Sequence, residues 1–350
     1  MIKKIVSGER ISRDEAVLLF SWNIHDLAFA ADSRRKIIHP DETVGFVIDR
    51  IINYTNECEA MCKFCAYHAR AGKIDPYTLT IDEILKKIGE LVKLGGNQVM
   101  LQGGLSPDFT MERVEDILRT VKGKYPGVYL HSFSPSEIVY LSKKNGLSYV
   151  EIIRRLKSAG LNSIPGASDM LVDRIRYAVS PNKSTKDEWC NVMRALREND
   201  MGSTATMTYG MGETLSERVE HLDVVRSIQD ETGIIRAFIP WSFSPKNTGM
   251  AEIAPATGID YLKIVAISRI YLDNVRYIHA GWLTEGLKLA QLALSYGAND
   301  MGGVLMEELV VNATGVETRA NVDELVSIIR NAGKIPLLRD SEYNILKKYD

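Results

Sequence analysis

The sequence predicts an α/β fold: a (β/α)8 barrel of the TIM type, with an N-terminal helical extension and a C-terminal tail. Three observations support this prediction. Short runs rich in β-branched residues alternate with longer segments of helical period. Eight such runs occur in the 350 residues, and a helical segment follows each of them. No linker rich in Pro, Gly or Ser interrupts the alternation, so we expect one barrel rather than two domains.

The chain begins with a segment that precedes the barrel. Residues 1–43 are mostly helical in pattern, and the first strand is predicted at 44–52. We therefore expect an N-terminal helical extension over residues 1–43. Residues 44–350 then form the barrel and its C-terminal extension, and the two parts make up a single domain.

The clearest helix follows Thr80. Thr80 and Glu83 have the spacing of a capping box, and Gly95 is well placed to end the helix. The apolar residues that recur on one face are Ile81, Ile84, Leu85, Ile88 and Leu91. A second capping box, Thr214 with Glu217, predicts the start of a helix at 214–230.

The other elements follow the same rhythm. Further helices are predicted around 114–121 and at 136–144, 148–159, 170–178, 185–199, 258–272 and 286–296. The strands after the first are predicted at 98–102, 128–133, 161–164, 203–208, 234–240, 275–280 and 298–302.

A doubly wound open sheet is the alternative arrangement of these elements. It is disfavoured because no G-x-G-x-x-G turn follows the first strand. A barrel builds its active site from the loops at the carboxyl ends of its strands. Those loops are predicted to begin at Asn53, Gly103, Ser134, Pro165, Tyr209, Trp241, Gly281 and Gly303.

The composition excludes several classes of function. Lys and Arg number 43 and Asp and Glu 45, so the net charge is −2 and provides no general attraction to nucleic acid or acidic membranes. The N-terminus carries charges throughout, unlike a signal peptide. No apolar run approaches the ~20 residues that span a bilayer. We therefore expect a cytoplasmic protein that acts on a small molecule, with neither nucleic acid nor membrane as a partner.

Three of the four cysteines lie close together in the loop after the first strand. Cys58, Cys62 and Cys65 fall within eight residues. Cys190 lies far away in a segment of helical pattern, and we expect it to be an ordinary buried thiol. Three interpretations of the trio are open. The thiols could be unrelated, they could bind zinc together with His68, or they could hold a [4Fe–4S] cluster. Three thiolates would leave one iron of such a cluster free to bind a small molecule.

The C-x3-C-x2-C spacing, with Phe64 before the last cysteine, resembles the signature of the radical S-adenosylmethionine (SAM) superfamily. The resemblance implies that Cys58, Cys62 and Cys65 bind the cluster and that its free iron binds SAM. An electron from the cluster would then cleave SAM to methionine and a 5′-deoxyadenosyl radical. A flavodoxin- or ferredoxin-type protein is the expected electron donor.

Longer segments resemble one branch of that superfamily. They are NECEAMCKFCAY (56–67), LQGGLSPDF (101–109), LHSFSPSEI (130–138), TATMTYGMGETLSERVEHL (204–222), AFIPWSFSPKNT (237–248) and GANDMGGVLMEE (297–308). Together they are similar to the dehypoxanthine futalosine cyclases of menaquinone biosynthesis. Aminofutalosine synthases and the tyrosine-using half of FO synthase are related alternatives, and a zinc-binding protein is the non-enzymatic one.

The resemblance also implies roles for single residues. Those expected to contact SAM are Phe64, Gly103, Gly104, Ser134, Glu137, Tyr209 and Glu213. The cyclisation needs a base, for which the main candidates are Glu213, His131 and Glu137, with Glu307 and Glu308 following the eighth strand. The substrate of these cyclases carries a benzoate group, which needs a cation to bind it. Arg70, His68 and Arg339 are the candidates. Trp241 and Tyr209 are candidates for stacking on a ring.

Overall fold

A computed structural model describes residues 1–69, 72 and 74–349 and contains the eight predicted strands. The strands are β1 (Thr43–Asn53), β2 (Gln98–Gln102), β3 (Tyr129–Leu130), β4 (Ser163–Ile164), β5 (Gly202–Tyr209), β6 (Ile235–Ser242), β7 (Tyr277–Ile278) and β8 (Asp300–Leu305). Each of them overlaps its predicted range, and β3, β4 and β7 are shorter than most of the others.

The strands form a closed parallel ring. β1 pairs with β2 on one side and with β8 on the other, and β2 continues to β3. β4, β5, β6 and β7 form a second parallel sheet. Single bridges join the two sheets, from His131 to Ser163 and from His279 to Asp300. The predicted barrel is therefore confirmed, and it is built from two curved half-barrels that meet at two narrow seams.

Helices surround the ring. They are α1 (Ile2–Val6), α2 (Arg13–Leu19), α3 (Ile24–Ile38), α4 (Ile81–Lys93), α5 (Met111–Lys124), α6 (Pro135–Asn145), α7 (Tyr149–Ala159), α8 (Asp173–Val179), α9 (Lys186–Glu198), α10 (Leu215–Thr232), α11 (Gly258–Tyr271), α12 (Leu287–Ala293), α13 (Leu309–Asn312) and α14 (Val322–Asn331). Both predicted capping boxes, Thr80 with Glu83 and Thr214 with Glu217, are present. Within the described part of the chain, no helix is both long and apolar enough to cross a membrane.

The N-terminal helices lie on the outside of the ring. α3 packs against α11, and α2 packs against α10. The contact buries apolar residues such as Leu19 and Leu27 completely. These helices therefore cover the outer layer of the second half-barrel and do not reach its interior.

The C-terminal segment contains structure that the sequence patterns did not predict. β9 (Ile335–Arg339) runs parallel to the first residues of β1, and β10 (Ile345–Lys348) returns antiparallel to β9. The turn of this hairpin closes the amino-terminal end of the barrel. There Arg339 donates two hydrogen bonds, of 2.6 and 2.7 Å, to Asp300 and lies over the ring of Tyr343. A capping box of Asn321 and Glu324 starts α14 and was an available signal for this region.

We expect the Arg339–Asp300 pair to stabilise the floor of the barrel. Arg339→Met would leave the fully buried carboxylate of Asp300 without its guanidinium partner. Urea denaturation should show a loss of about 3–5 kcal/mol in the free energy of unfolding.

The matched control is Arg154→Met, which removes an exposed arginine that pairs with Glu151 on the surface of α7 and should change stability little. Adding Asp300→Asn to Arg339→Met should restore part of the loss, because no buried charge then remains unpaired. Equal stability of Arg339→Met and Arg154→Met would contradict this role.

Candidate active site

One cavity of about 450 Å³ occupies the interior of the ring and reaches the loops at the carboxyl ends of the strands. Its size is typical of a site that binds a cofactor or a small ligand. Seven of the eight predicted loop starts line it: Asn53, Gly103, Ser134, Pro165, Trp241, Gly281 and Gly303. The eighth, Tyr209, is not among the lining residues.

The three clustered cysteines all lie in the wall of this cavity. Their loop is held by backbone hydrogen bonds to the last residue of α8 and to the segment after β6. Lys63 donates to Val179 O at 2.7 Å, and Gly249 donates to Lys63 O at 2.8 Å. Cys190 is a buried residue of α9 and does not line the cavity.

Gly104 allows the loop after β2 to lie against the cysteine loop. A Cβ atom on Gly104 would lie 2.0 Å from the carbonyl oxygen of Glu57 and 2.7 Å from Cβ of Cys58. A Cβ on the preceding Gly103 would in turn meet the ring of Tyr54 at 2.4 Å. Both positions therefore exclude any side chain, and the pair of glycines sets the distance between the two loops.

His68, the fourth ligand of the zinc interpretation, also lines the cavity. Across the described residues, no group of three or more His, Cys, Asp or Glu side chains is arranged to hold one metal ion. In a [4Fe–4S] cluster each thiolate binds a different iron, so the three sulfur atoms need not converge on one point.

Burial raises the pKa of the Cys62 thiol to about 12, and it also raises the pKa of Cys65. Both thiols are therefore uncharged in the protein alone, and a bound metal centre would supply the positive charge that stabilises their thiolates. Lys183 adds a further cation beside the loop. It lies 5.7 Å from the ring centroid of Phe64 and forms an ion pair of 2.5 Å with Asp169. The donor set and its surroundings thus fit an iron–sulfur cluster.

Glu137 connects the loops after β1, β2 and β3. Its carboxylate accepts hydrogen bonds from the Tyr54 hydroxyl at 2.7 Å, from the Ser134 hydroxyl at 2.6 Å and from the Gly103 amide at 3.4 Å. Burial raises the pKa of Glu137 to about 7, although these bonds act in the opposite direction. Because the carboxylate already accepts hydrogen bonds from three donors, it acts mainly to position the loops in which Gly103 and Ser134 lie.

Tyr209 and Glu213 are not among the residues that line the cavity, so their contact with SAM stays a prediction. In β5 the side chains of Thr204, Thr206 and Thr208 line the cavity, so Tyr209 faces the helices by alternation. The side chain of Glu213 is fully buried, outside the cavity wall. Its carboxylate accepts hydrogen bonds from the amides of Gly210 and Met211 and from Arg218, and so it stabilises its own turn.

The remaining base candidates differ in their surroundings. His131 lines the cavity, and its Nδ1 lies 2.7 Å from the Ser163 hydroxyl across a seam of the barrel. Burial and nearby arginines hold the pKa of His131 well below its usual range, so the ring is neutral. Glu308 lines the cavity but caps α13. Glu307 lies outside the cavity and pairs with Arg50 and Lys87.

The candidates for binding a benzoate are also distributed unevenly. Arg70 lies outside the described residues. Arg339 lines the cavity at the floor of the barrel, where its guanidinium group already forms an ion pair with Asp300. Trp241 lines the cavity, and its indole nitrogen donates to the Thr208 hydroxyl at 3.0 Å.

Several polar residues of the cavity escaped the sequence prediction. They are Asp49, Gln98, Lys183, Thr204, Thr206, Thr208, Arg236, His279 and Tyr343. For the strand residues the signal was present, because every second residue of a barrel strand faces inward. In β1, Asp49 shares this inward face with Val47 and Ile51.

Comparison with known proteins identifies the family. A model described as the radical SAM superfamily matches residues 52–225, and one described as the CofH/MqnC C-terminal region matches residues 231–349. A cyclic dehypoxanthine futalosine synthase from Halalkalibacterium halodurans is 40% identical over all of this chain and 95% of its own. The chain belongs to the radical SAM superfamily. It is an enzyme of this class, whose cofactors are a [4Fe–4S] cluster and SAM.

Other relatives of this radical SAM enzyme carry two different names. A cyclic dehypoxanthine futalosine synthase from Streptomyces coelicolor is 38% identical over all of the chain and 89% of its own. A 5-amino-6-(D-ribitylamino)uracil–L-tyrosine 4-hydroxyphenyl transferase from Methanosarcina mazei is 39% identical over 98% of the chain and 90% of its own.

Solved structures share the fold. The FeFe-hydrogenase maturase HydG from Carboxydothermus hydrogenoformans has a TM-score of 0.78 at 16% identity, and covers 98% of this chain and 79% of its own. Methylornithine synthase has a TM-score of 0.73 at 18% identity, and covers 95% of both chains. At such low identity the likeness concerns the fold alone.

We expect each of the clustered cysteines to be required for the cluster. Cys58→Ala should abolish cluster assembly and leave the barrel folded, because the loop lies at the mouth of the barrel and not in its core. Iron and sulfide analysis of anaerobically reconstituted protein measures the first effect, and circular dichroism the second. Cys190→Ala is the matched control and should bind a full complement of iron.

We expect Gly104→Ala to impair the same site without removing a ligand. The new methyl group would displace Glu57 and Cys58, so iron content should fall well below that of the wild type although all three cysteines remain. Gly127→Ala is the control, because a Cβ there meets nothing within 4 Å. Normal iron content in Gly104→Ala would show that the close approach of the two loops is not needed for cluster binding.

Proposed function

We propose that this radical SAM enzyme cyclises dehypoxanthine futalosine to cyclic dehypoxanthine futalosine in menaquinone biosynthesis. The observation that carries the proposal is a single cavity that joins the cysteine loop to a polar chamber inside the barrel. Similarity to two cyclic dehypoxanthine futalosine synthases, each over the full chain, supports it. A flavodoxin- or ferredoxin-type electron donor is part of the same proposal.

The substrate joins a ribose to a benzoate ring through a ketone. The bound cofactors would supply a 5′-deoxyadenosyl radical, which removes the hydrogen atom from C4′ of the ribose. The C4′ radical of the substrate then adds to the aromatic ring and forms a spirocycle. Loss of one proton and one electron restores aromaticity. The protein must therefore hold the substrate in one conformation, exclude water and accept a proton.

The inner chamber has the polar groups that such a substrate requires. A row of hydroxyl groups lies along β5 and can form hydrogen bonds with the ribose. They belong to Thr204, Thr206 and Thr208. Arg236 supplies a positive charge deeper in the barrel. It donates to the Tyr129 hydroxyl at 3.0 Å, while its buried Nε atom has no hydrogen-bond partner among the described residues. This arginine can pair with the carboxylate of the substrate.

A transferase that acts on tyrosine is the second candidate. The observation in its favour is the 39% identity to the relative from Methanosarcina mazei, close to the 40% found for the first synthase. Such an enzyme would use L-tyrosine and 5-amino-6-(D-ribitylamino)uracil, the compounds in that relative's name. Aminofutalosine synthase activity is the third, and it differs because the adenosyl group would be incorporated into the product.

Mass spectrometry of anaerobic reactions separates these candidates. Reconstituted enzyme, SAM and a reductant are incubated with dehypoxanthine futalosine, with the aminofutalosine synthase substrate, or with L-tyrosine and 5-amino-6-(D-ribitylamino)uracil. We expect only the first reaction to yield 5′-deoxyadenosine together with a product that has lost two hydrogen atoms. Incorporation of the adenosyl group or consumption of tyrosine would overturn the proposal. Enzyme lacking Cys58 is the control and should be inactive in all three reactions.

A further inference from the structure

Four carboxylates of the described residues line the cavity, and three of them already have strong partners. Glu137 accepts three hydrogen bonds, from Tyr54, Ser134 and Gly103. Asp169 pairs with Lys183, and Glu308 accepts two backbone amides of α13. Hydrogen bonds of this kind hold a carboxylate in place and occupy the lone pairs to which a substrate proton would be transferred. The fourth, Asp49, is different.

Asp49 lies inside the barrel on β1 and is only 2% exposed. Its Oδ2 accepts one long hydrogen bond, of 3.3 Å, from the amide of Gln98 on β2. Its Oδ1 has no hydrogen-bond partner in the described part of the protein. A buried carboxylate oxygen without a donor is costly, so its presence in a cavity wall indicates a ligand or a chemical role.

The neighbouring strand leaves room for this carboxylate. A Cβ atom on Gly303 of β8 would lie 2.1 Å from Oδ1 and 2.4 Å from Cγ of Asp49. Any residue other than glycine at 303 would therefore force the carboxylate out of its place. The position of Asp49 is thus fixed from two sides, by Gln98 on β2 and by the bare backbone of β8.

The electrostatic surroundings keep Asp49 close to neutrality. Burial raises the pKa of Asp49 to about 7. Two charged groups face it from other elements: Arg339 of the C-terminal hairpin lowers this pKa, and Glu308 after β8 raises it. A group that titrates near neutral pH is well suited to accept a proton during a reaction and release it afterwards.

We propose that Asp49 is the catalytic base that takes the proton from the spirocyclic substrate radical. This inference rests on the proposed cyclase function. The C–H bond at the newly substituted ring carbon breaks, its electron pair stays in the ring, and the proton forms an O–H bond with the carboxylate of Asp49. A neutral radical and a carboxylate become a radical anion and a carboxylic acid. The radical anion then loses its electron to an oxidised electron carrier of the flavodoxin or ferredoxin type, the class that belongs to the proposed function.

The other base candidates are less suited to this step. The ring of His131 is neutral because burial lowers its pKa, so it would be a weak base, and its Nδ1 is engaged with Ser163. Glu137 has three donors, and Glu213 lies outside the cavity.

Asp49→Asn tests the proposal, because the amide keeps the shape of the side chain but cannot take the proton. The reconstituted variant is incubated anaerobically with SAM, a reductant and dehypoxanthine futalosine. We expect 5′-deoxyadenosine to form within about twofold of the wild-type rate, since the proton is lost after hydrogen abstraction. The cyclic product should form about 10²- to 10⁴-fold more slowly. Asp116→Asn, an exposed carboxylate on α5, is the matched control and should behave as the wild type.

Gly303→Ala provides a second variant that retains Asp49 and displaces its carboxylate. It should also reduce the amount of cyclic product per 5′-deoxyadenosine, with Gly127→Ala as its control. Across pH 5.5–8.5 this ratio should rise in the wild type as the carboxylate ionises, around a pKa of about 7, and it should be flat in Asp49→Asn.

Two results would overturn the inference and leave the proposed function intact. One is a wild-type ratio of product to 5′-deoxyadenosine in Asp49→Asn. The other is loss of substrate-dependent 5′-deoxyadenosine together with weaker substrate binding, which would make Asp49 a substrate-binding residue only. If the wild type itself does not convert dehypoxanthine futalosine, the proposed function fails instead.

Discussion

The contact between the cysteine loop and the loop after β2 is the constraint on which the rest of the site depends. At Gly104 the two backbones are so close that no side chain can stand between them. The cysteine loop has no regular structure of its own, and it is held from outside by hydrogen bonds to residues such as Val179 and Gly249. Three thiols can be placed around a cluster only after the strands that carry these neighbours have closed into a ring.

The interior of this barrel differs from the usual one of its class. TIM-type barrels generally fill their centre with layers of branched apolar side chains. Here threonines of β5, Asp49, His131 and Arg236 face a cavity. A buried polar group without a partner is costly, and pairs such as His131 with Ser163 and Arg339 with Asp300 avoid that cost. The C-terminal hairpin closes the lower end, so the polar chamber opens towards the cysteine loop.

The geometry of barrel strands explains which parts of the site could be predicted. Seven of the eight predicted loop starts line the cavity because the carboxyl ends of parallel strands must meet at one end of a barrel. The alternation within β5 separates Thr208, which lines the cavity, from Tyr209, which does not. A motif alone assigned Tyr209 and Glu213 to the cofactor; neither lines the cavity, and Glu213 accepts hydrogen bonds within its own turn, so that assignment stays a prediction. Asp49 and Arg236 were missed because a single charged residue within an apolar strand belongs to no motif that would single it out.

The sequence by itself determined the order of strands and helices, the capping boxes and the cysteine signature, since each depends on residues that are near one another in the chain. Its likeness to known families also indicated the enzyme class. Only the tertiary structure decided which polar groups face the cavity and which of them are already paired. Glu137 accepts hydrogen bonds from Tyr54 and Gly103, whereas Oδ1 of Asp49, beside Gly303, has no hydrogen-bond partner among the described residues. Such partners come from distant strands, and they become neighbours only when the ring closes.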